Sequence, residues 1–172
     1  MLSRKCNIYE TMKLIKIPFG GGGLGKGNGA KDAPDKIIEC MKELYLNEAG
    51  LKAEFDTGFV NVDDSNMQIS HDNIYEKVKS LKQKSILIGG DHSISEPAFK
   101  AFAENNEGAG LIVFDAHPDL MESAGISSQE DWLRSLIQKK IVNPEKVILI
   151  GVRNWDGEEK EFIELNRIRC FT

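Results

Sequence analysis

Two short segments hold most of the residues in this sequence able to bind and activate a small polar ligand. They are Gly89-Gly90-Asp91-His92-Ser93 and Asp115-Ala116-His117-Pro118-Asp119. Asp115, His117 and Asp119 occupy alternate positions just after an apolar run, and in extended backbone alternate side chains point to one side. Three ligating side chains are therefore expected to converge on one pocket. His92, at the end of a second apolar run, supplies a further imidazole. Carboxylates with imidazole, and no sulfur, suit Mn²⁺, Zn²⁺ or Fe²⁺. A pair of such ions lowers the pKa of a shared water and holds a substrate against it. Taken alone, Asp-x-His-x-Asp also fits a solvated turn in which Asp115 caps a helix; the second segment at a second strand end shifts the reading to metal. The third histidine, His71, falls at an expected helix start and reads as a surface residue or cap.

The elements that must carry these segments follow from periodicity. Residues 12–18 alternate apolar and charged side chains and then stop at proline and glycine, as a first strand does. Residues 20–29 are glycine-rich and read as a loop. Asp32 is expected to cap a helix with Pro34 near its start, and Ile37, Ile38, Met41, Leu44 and Tyr45 follow at helical spacing. A weaker strand is expected within 51–62 and a helix over 72–82. Then come a strand over 85–88, a helix over 93–103 and a strand over 111–114. An amphipathic helix is expected over 130–140, a strand over 147–150, a helix over 157–165 and a strand from 168 to 171. Short apolar strands alternating with helices imply a parallel sheet covered on both faces, an α/β fold of three layers, α/β/α. In such sheets ligands bind beyond the carboxyl ends of the strands, where both segments lie.

Bulk properties narrow the class. The chain has 172 residues, a hydrophobic fraction of 41% and 28% charged residues, ordinary values for a globular domain. A net charge of -5 argues against a general nucleic-acid partner. No apolar run approaches a membrane span, and no signal peptide is visible, so cytoplasmic residence is expected. Cys6, Cys40 and Cys170 are scattered and odd in number, which reads as free thiols in a reducing compartment. Met12 is an alternative start to Met1, since residues 1–11 show no pattern and are expected to lie outside the fold. The sequence stops within an apparent strand, so residues 1–172 read as one incomplete domain, truncated at the C-terminus.

The pair of segments resembles the arginase/agmatinase/formiminoglutamase family, the ureohydrolases. Phe19 to Pro34 is similar to that family's opening, and Ile150-Gly151-Val152-Arg153 to a later strand end. The resemblance implies that His92, Asp115 and Asp119 bind one Mn²⁺, and that Asp115 and His117 bind the other, with Asp115 bridging. It implies Asp91 as a supporting residue orienting His92. Asp115 and His117 would position a metal-bound hydroxide that hydrolyses a guanidino or formimino C–N bond. It also implies a homo-oligomer, trimeric or hexameric.

Three departures qualify that picture. The family's Ser-x-Asp-x-Asp-x-x-Asp-Pro motif, which supplies two more aspartates, is absent, and Asp63-Asp64 does not match it. Weak, single-site metal binding is therefore expected of this chain alone. No histidine follows Asp119 to serve the leaving amine; Glu122, Glu130 or Asp131 are alternatives, although a solvated loop and helix cap is the simpler reading. In the family, strands from the missing part lie between the strand ending near His92 and the strand ending near Asp115, so a complementing chain or segment is expected there.

Residues 20–27 nearly match a phosphate loop, Gly-x-x-x-x-Gly-Lys-[Ser/Thr], with Gly27 in place of the hydroxyl residue and the helix starting late. A loop at the active-site rim is the preferred reading, with nucleotide binding as a third alternative. The second is a non-enzymatic, truncated or degenerate fragment. Trp132 is expected in the core and Trp155 to be buried, with pocket lining as its alternative. Arg153 reads as structural, with a substrate or interface contact as the alternative.

Overall fold

In the computed structural model the described residues are 12–26, 29–52, 54–123 and 125–172. The expectation for residues 1–11, and Gly27 in the phosphate-loop comparison, lie outside them. Among the described residues six strands alternate with five α-helices. They are β1 (Met12–Ile17), α1 (Ala33–Met41), β2 (Phe55–Phe59), α2 (Met67–Lys79), β3 (Ser85–Gly89) and α3 (Ser95–Asn105). The second half holds β4 (Leu111–Phe114), α4 (Trp132–Gln138), β5 (Val147–Ile150), α5 (Gly157–Leu165) and β6 (Arg169–Phe171).

All strand pairs are parallel. They form two three-stranded sheets, ordered β2-β1-β3 and β4-β5-β6. In β1 the successive residues Leu14 and Ile15 are both buried. Neighbouring strand residues point to opposite faces, so both faces of the first sheet are covered here, beyond what the alternation expected over 12–18 implied. One core gathers Ile15, Ile17, Ile74, Val78 and Ala98, and a second gathers Val113, Leu133, Leu136, Val147 and Leu149. Helix α3 joins them: Ala98 and Ala101 pack in the first core and Phe99 in the second.

Between the described residues of β3 and β4 there is no pairing. A cleft of about 950 Å³ lies there, lined by Leu87 on one side and by Leu111 to Phe114 on the other. Ile86, Ile112 and Phe114 are exposed along these edges. The two sheets are thus separated where the family resemblance placed further strands.

Several boundaries move. Helix α2 begins at Met67, ahead of the expected 72, because the Asn66 side chain accepts from the amide of Ile69 at 3.1 Å and caps it. His71 is thereby carried inside the helix and buried at 5% exposure, so the surface or cap reading fails. Asp32 makes no side-chain cap; it closes a 3₁₀ turn, Gly29–Asp32. Helix α1 ends at Met41, leaving Leu44 and Tyr45 exposed beyond it. No helix among the described residues is long and apolar enough to cross a membrane.

Candidate metal centre

The first segment is shaped by the close passage of β1's continuation. The amide of Gly90 donates to Ile17 O at 3.0 Å, and that of Asp91 to Phe19 O at 2.9 Å. A Cβ on Gly90 would lie 2.0 Å from the Phe19 carbonyl oxygen, which explains the glycine. Asp91 then fixes a 3₁₀ turn, His92–Ile94. Its Oδ1 accepts from the Ser93 amide at 2.9 Å and the Ser93 hydroxyl at 2.5 Å, and its Oδ2 accepts from the Gly22 amide at 2.8 Å. The bonds of the Asp91 side chain go to the Ser93 amide and hydroxyl and to the Gly22 amide, so its link to His92 is the backbone turn.

The same contacts account for the glycine-rich loop. A Cβ on Gly22 would meet Ser93 Oγ at 2.2 Å. The Gly20 amide is taken by Asp64 Oδ1 at 2.9 Å, as that of Gly22 is by Asp91. Amides spent on carboxylates are not free to hold phosphate. Lys26 reaches across to pair with Glu130 at the mouth of the site. This is the rim reading of the loop.

The second segment leaves β4 with the Asp115 amide still bonded to Ile150 O at 3.1 Å. The chain then bends, and Asp119 adopts a left-handed conformation, φ 51°, which aspartate tolerates better than most residues. The simple alternation expected of an extended segment therefore does not hold. Asp119 turns inward and is buried, while the His117 side chain is 59% exposed, its Nδ1 3.5 Å from Asp115 Oδ1.

The three residues brought together are His92, Asp115 and Asp119, with one ligand atom from each within 4.8 Å of the others. His92 Nδ1 lies 2.7 Å from Asp119 Oδ2 and 3.3 Å from Asp115 Oδ2. Burial works against the charged form of His92, but Asp119, Asp115 and Asp91 outweigh it and raise its pKa above the ordinary value. A proton on this ring sits among carboxylates that attract a cation. The donor set of two carboxylates and an imidazole, without sulfur, fits a divalent ion such as Mn²⁺. His117 lies outside this group but lines the same cavity, of about 890 Å³. Asp63 and Asp64 sit elsewhere, bonded to Ser65 and to Gly20 and Lys31.

Three contributors were not read from the sequence. Trp132, expected only as core, is buried, but its Nε1 also donates to Asp119 Oδ2 at 2.7 Å, and its ring lies 4.8 Å from that of His92. Glu159 accepts from the Leu120 amide at 2.9 Å and from the Asp156 amide at 3.0 Å, tying α5 to the loop beyond Asp119. The Asp156-x-x-Glu159 spacing of a capping box was the available signal. Ala116 O accepts from the amides of Arg153 and Asn154 at 2.9 and 3.0 Å, pinning the two loops together. Trp155 is 39% exposed and lines the cavity, so its expected burial is corrected. Arg153 lines it too. Of the three loop acids, Glu130 alone lines the cavity; Asp131 is buried against Ser128, not solvated.

Comparison with known proteins identifies the family and the fold. The chain is 30% identical over 161 residues to the formimidoylglutamase of Halalkalibacterium halodurans, covering 84% of this chain and 50% of that one. It is 26% identical over 163 residues to an arginase of Staphylococcus aureus, covering 79% and 54%. The chain thus spans about half the length of the curated relatives it matches. Among solved structures, formimidoylglutamase from Bacillus subtilis superposes with a TM-score of 0.85 at 22% identity, covering 95% of this chain and 55% of that one. Trypanosoma cruzi formiminoglutamase, solved with Mn²⁺, gives 0.82 at 18%, covering 93% and 59%. Both show the shared fold. The Arginase family model matches residues 10–172, and the chain belongs to the arginase family.

Proposed function

We propose that this chain is the metal-binding half of a binuclear manganese hydrolase that cleaves a guanidino or formimino C–N bond. The observation that carries the reading is the convergence of His92, Asp115 and Asp119 in a large polar cavity at the carboxyl ends of β3 and β4. Family membership and the Mn²⁺ of a structural neighbour support manganese. His92, Asp115 and Asp119 would hold one ion, and Asp115 with His117 would contribute to the other. When bound, such ions acidify water and polarise the amidine carbon.

The chain's own residues do the rest. Asp91 sets the turn that presents His92, Trp132 holds Asp119, and Asp115 and His117 face the cavity where the substrate is positioned. Glu130, facing the same cavity, is the loop acid placed to hand a proton to the leaving amine. Its partner Lys26 tunes its availability.

On the same reading a further stretch of polypeptide, downstream or in a complementing chain, fills the cleft between β3 and β4 and adds the remaining carboxylates. The whole then works as a single domain in a cytoplasmic homo-oligomer. The open strand edges favour a second reading for this chain alone, a complementing fragment with impaired activity and weak metal binding.

The test is an assay of urea and formamide release from arginine, agmatine and formiminoglutamate with Mn²⁺. It is run on the chain alone and with the polypeptide that completes the sheet. Turnover by the completed protein, lost in Asp115→Asn, supports the enzymatic reading. No turnover of any amidine by the completed protein overturns it.

A further inference from the structure

Asp119 is held in a backbone conformation that most residues avoid, with φ at 51°. Such a residue persists only where its surroundings over-determine it. Here the surroundings act on the next residue. Leu120 is fully buried in the second core. Its amide donates to Glu159 Oε1 at 2.9 Å, and its carbonyl accepts from Arg134 Nη1 at 3.1 Å. The following amide, that of Met121, donates to Glu130 O at 3.1 Å. The peptide joining Leu120 to Met121 is thus gripped at its oxygen by α4 and at its nitrogen by the segment leading into α4.

Arg134 is the unexpected member of this grip. It lies on a helix whose Leu133, Leu136 and Ile137 form the core, and its side chain is only 12% exposed. Its Nε is buried without a hydrogen-bond partner among the described residues. An unmet buried donor is unfavourable, and an apolar side chain of similar volume would pack there without one. The guanidinium lies 4.8 Å from the centre of the Phe162 ring and pairs with Glu158. Glu158 is 46% exposed, so water solvates it in any case. The Leu120 carbonyl is different. It belongs to a residue with no exposed surface, where a missing donor is not replaced by water.

We infer that Arg134 is a positioning residue for the metal centre. Through the Leu120 carbonyl it keeps Asp119 in the left-handed turn that brings its carboxylate to within 2.7 Å of His92 Nδ1. This rests on the metal site proposed above. Arg134 does not line the metal cavity, so it acts through Leu120 and not on an ion or a substrate. Trp132, from the same short helix, holds the Asp119 side chain, and Arg134 holds the backbone behind it. Helix α4 therefore sets the direction of this ligand before any ion arrives.

The test is calorimetric titration of Mn²⁺ into the 172-residue chain, Arg134→Gln and Glu158→Gln, at a temperature where circular dichroism shows each to be folded. A loss of global stability alone leaves the affinity of folded protein unchanged. Arg134→Gln is expected to weaken Mn²⁺ binding about tenfold, the low end for a supporting contact, because it acts through the backbone. Glu158→Gln removes only the exposed partner and is expected to stay within about twofold of the native chain. Backbone NMR shifts of Asp119 and Leu120 in the metal-free protein report the turn itself. They are expected to move in Arg134→Gln and to stay in Glu158→Gln. If Arg134→Gln does not fold, Arg134→Met, which keeps the buried stem, is read in the same way. Native affinity in the folded Arg134 variant, or an equal loss in Glu158→Gln, overturns the inference and leaves the metal site standing. Failure of the native chain to bind Mn²⁺ overturns both.

Discussion

Trp132→Phe separates the packing of an indole from its hydrogen bond. In the structure Asp119 Oδ2 accepts from Trp132 Nε1 and lies by His92 Nδ1, both at 2.7 Å. Asp119 is 7% exposed and Trp132 2%, so water does not replace the lost donor. A hydrogen bond to a buried charge contributes about 1.5–3 kcal/mol. The smaller ring adds roughly 1 kcal/mol of cavity cost. Urea unfolding of the metal-free variant should therefore show a loss of about 2.5–4 kcal/mol. The second consequence is on metal. Freed from Trp132, the Asp119 carboxylate is no longer held toward His92, and losing such a supporting contact typically weakens metal affinity by about 10–100-fold. Calorimetric Mn²⁺ titration measures this directly. A variant that loses stability but binds Mn²⁺ within about twofold of the native protein would show that Trp132 only packs, and would refute the reasoning.

Other perturbations probe separate parts of the account. Gly90→Ala places a Cβ against the Phe19 carbonyl and is expected to cost about 3 kcal/mol or more in thermal or urea unfolding. His71 is buried 4.0 Å from Glu96, which also pairs with Lys139 at 2.9 Å. Burial lowers its pKa despite Glu96 and Asp91. The unfolded chain takes up the proton first, so stability is full above the ordinary histidine value of about 6.5 and falls as pH drops towards the lower folded value. Urea midpoints measured across that window should lose this slope in His71→Leu. Phe114→Lys, at a side chain 77% exposed on the open edge of β4, should change stability by less than about 0.5 kcal/mol. It should also reduce aggregation measured by light scattering.

The strands and their carboxyl-end motifs were legible because both follow from local pattern. Four-residue runs such as 111–114 and 147–150 have no polar member, which marks strands of a parallel sheet, although Ile112 and Phe114 lie exposed on the open edge of β4. Helix α5 was legible over 157–165, while its capping pair Asp156 and Glu159 was not read. What the pattern hid was non-local. His71 was misplaced because Ser70 and His71 are polar and yet face the core, where Ser70 bonds to Asp63 across a loop. His117 was grouped with Asp115 and Asp119 on the assumption of extended backbone, which the positive φ of Asp119 breaks. Sequence does not show that Gly22, 69 residues earlier, donates its amide to the Asp91 side chain. Trp155 was placed in the interior because an indole is usually buried, and only the cavity around it reveals otherwise.

The proposed metal site is His92, Asp115 and Asp119. It is tested most directly by calorimetric titration of Mn²⁺ into the 172-residue chain and into Asp119→Asn and His92→Asn. One weak site per chain, abolished in either variant, is the predicted result. Two tight sites, or a single site indifferent to both substitutions, would contradict it.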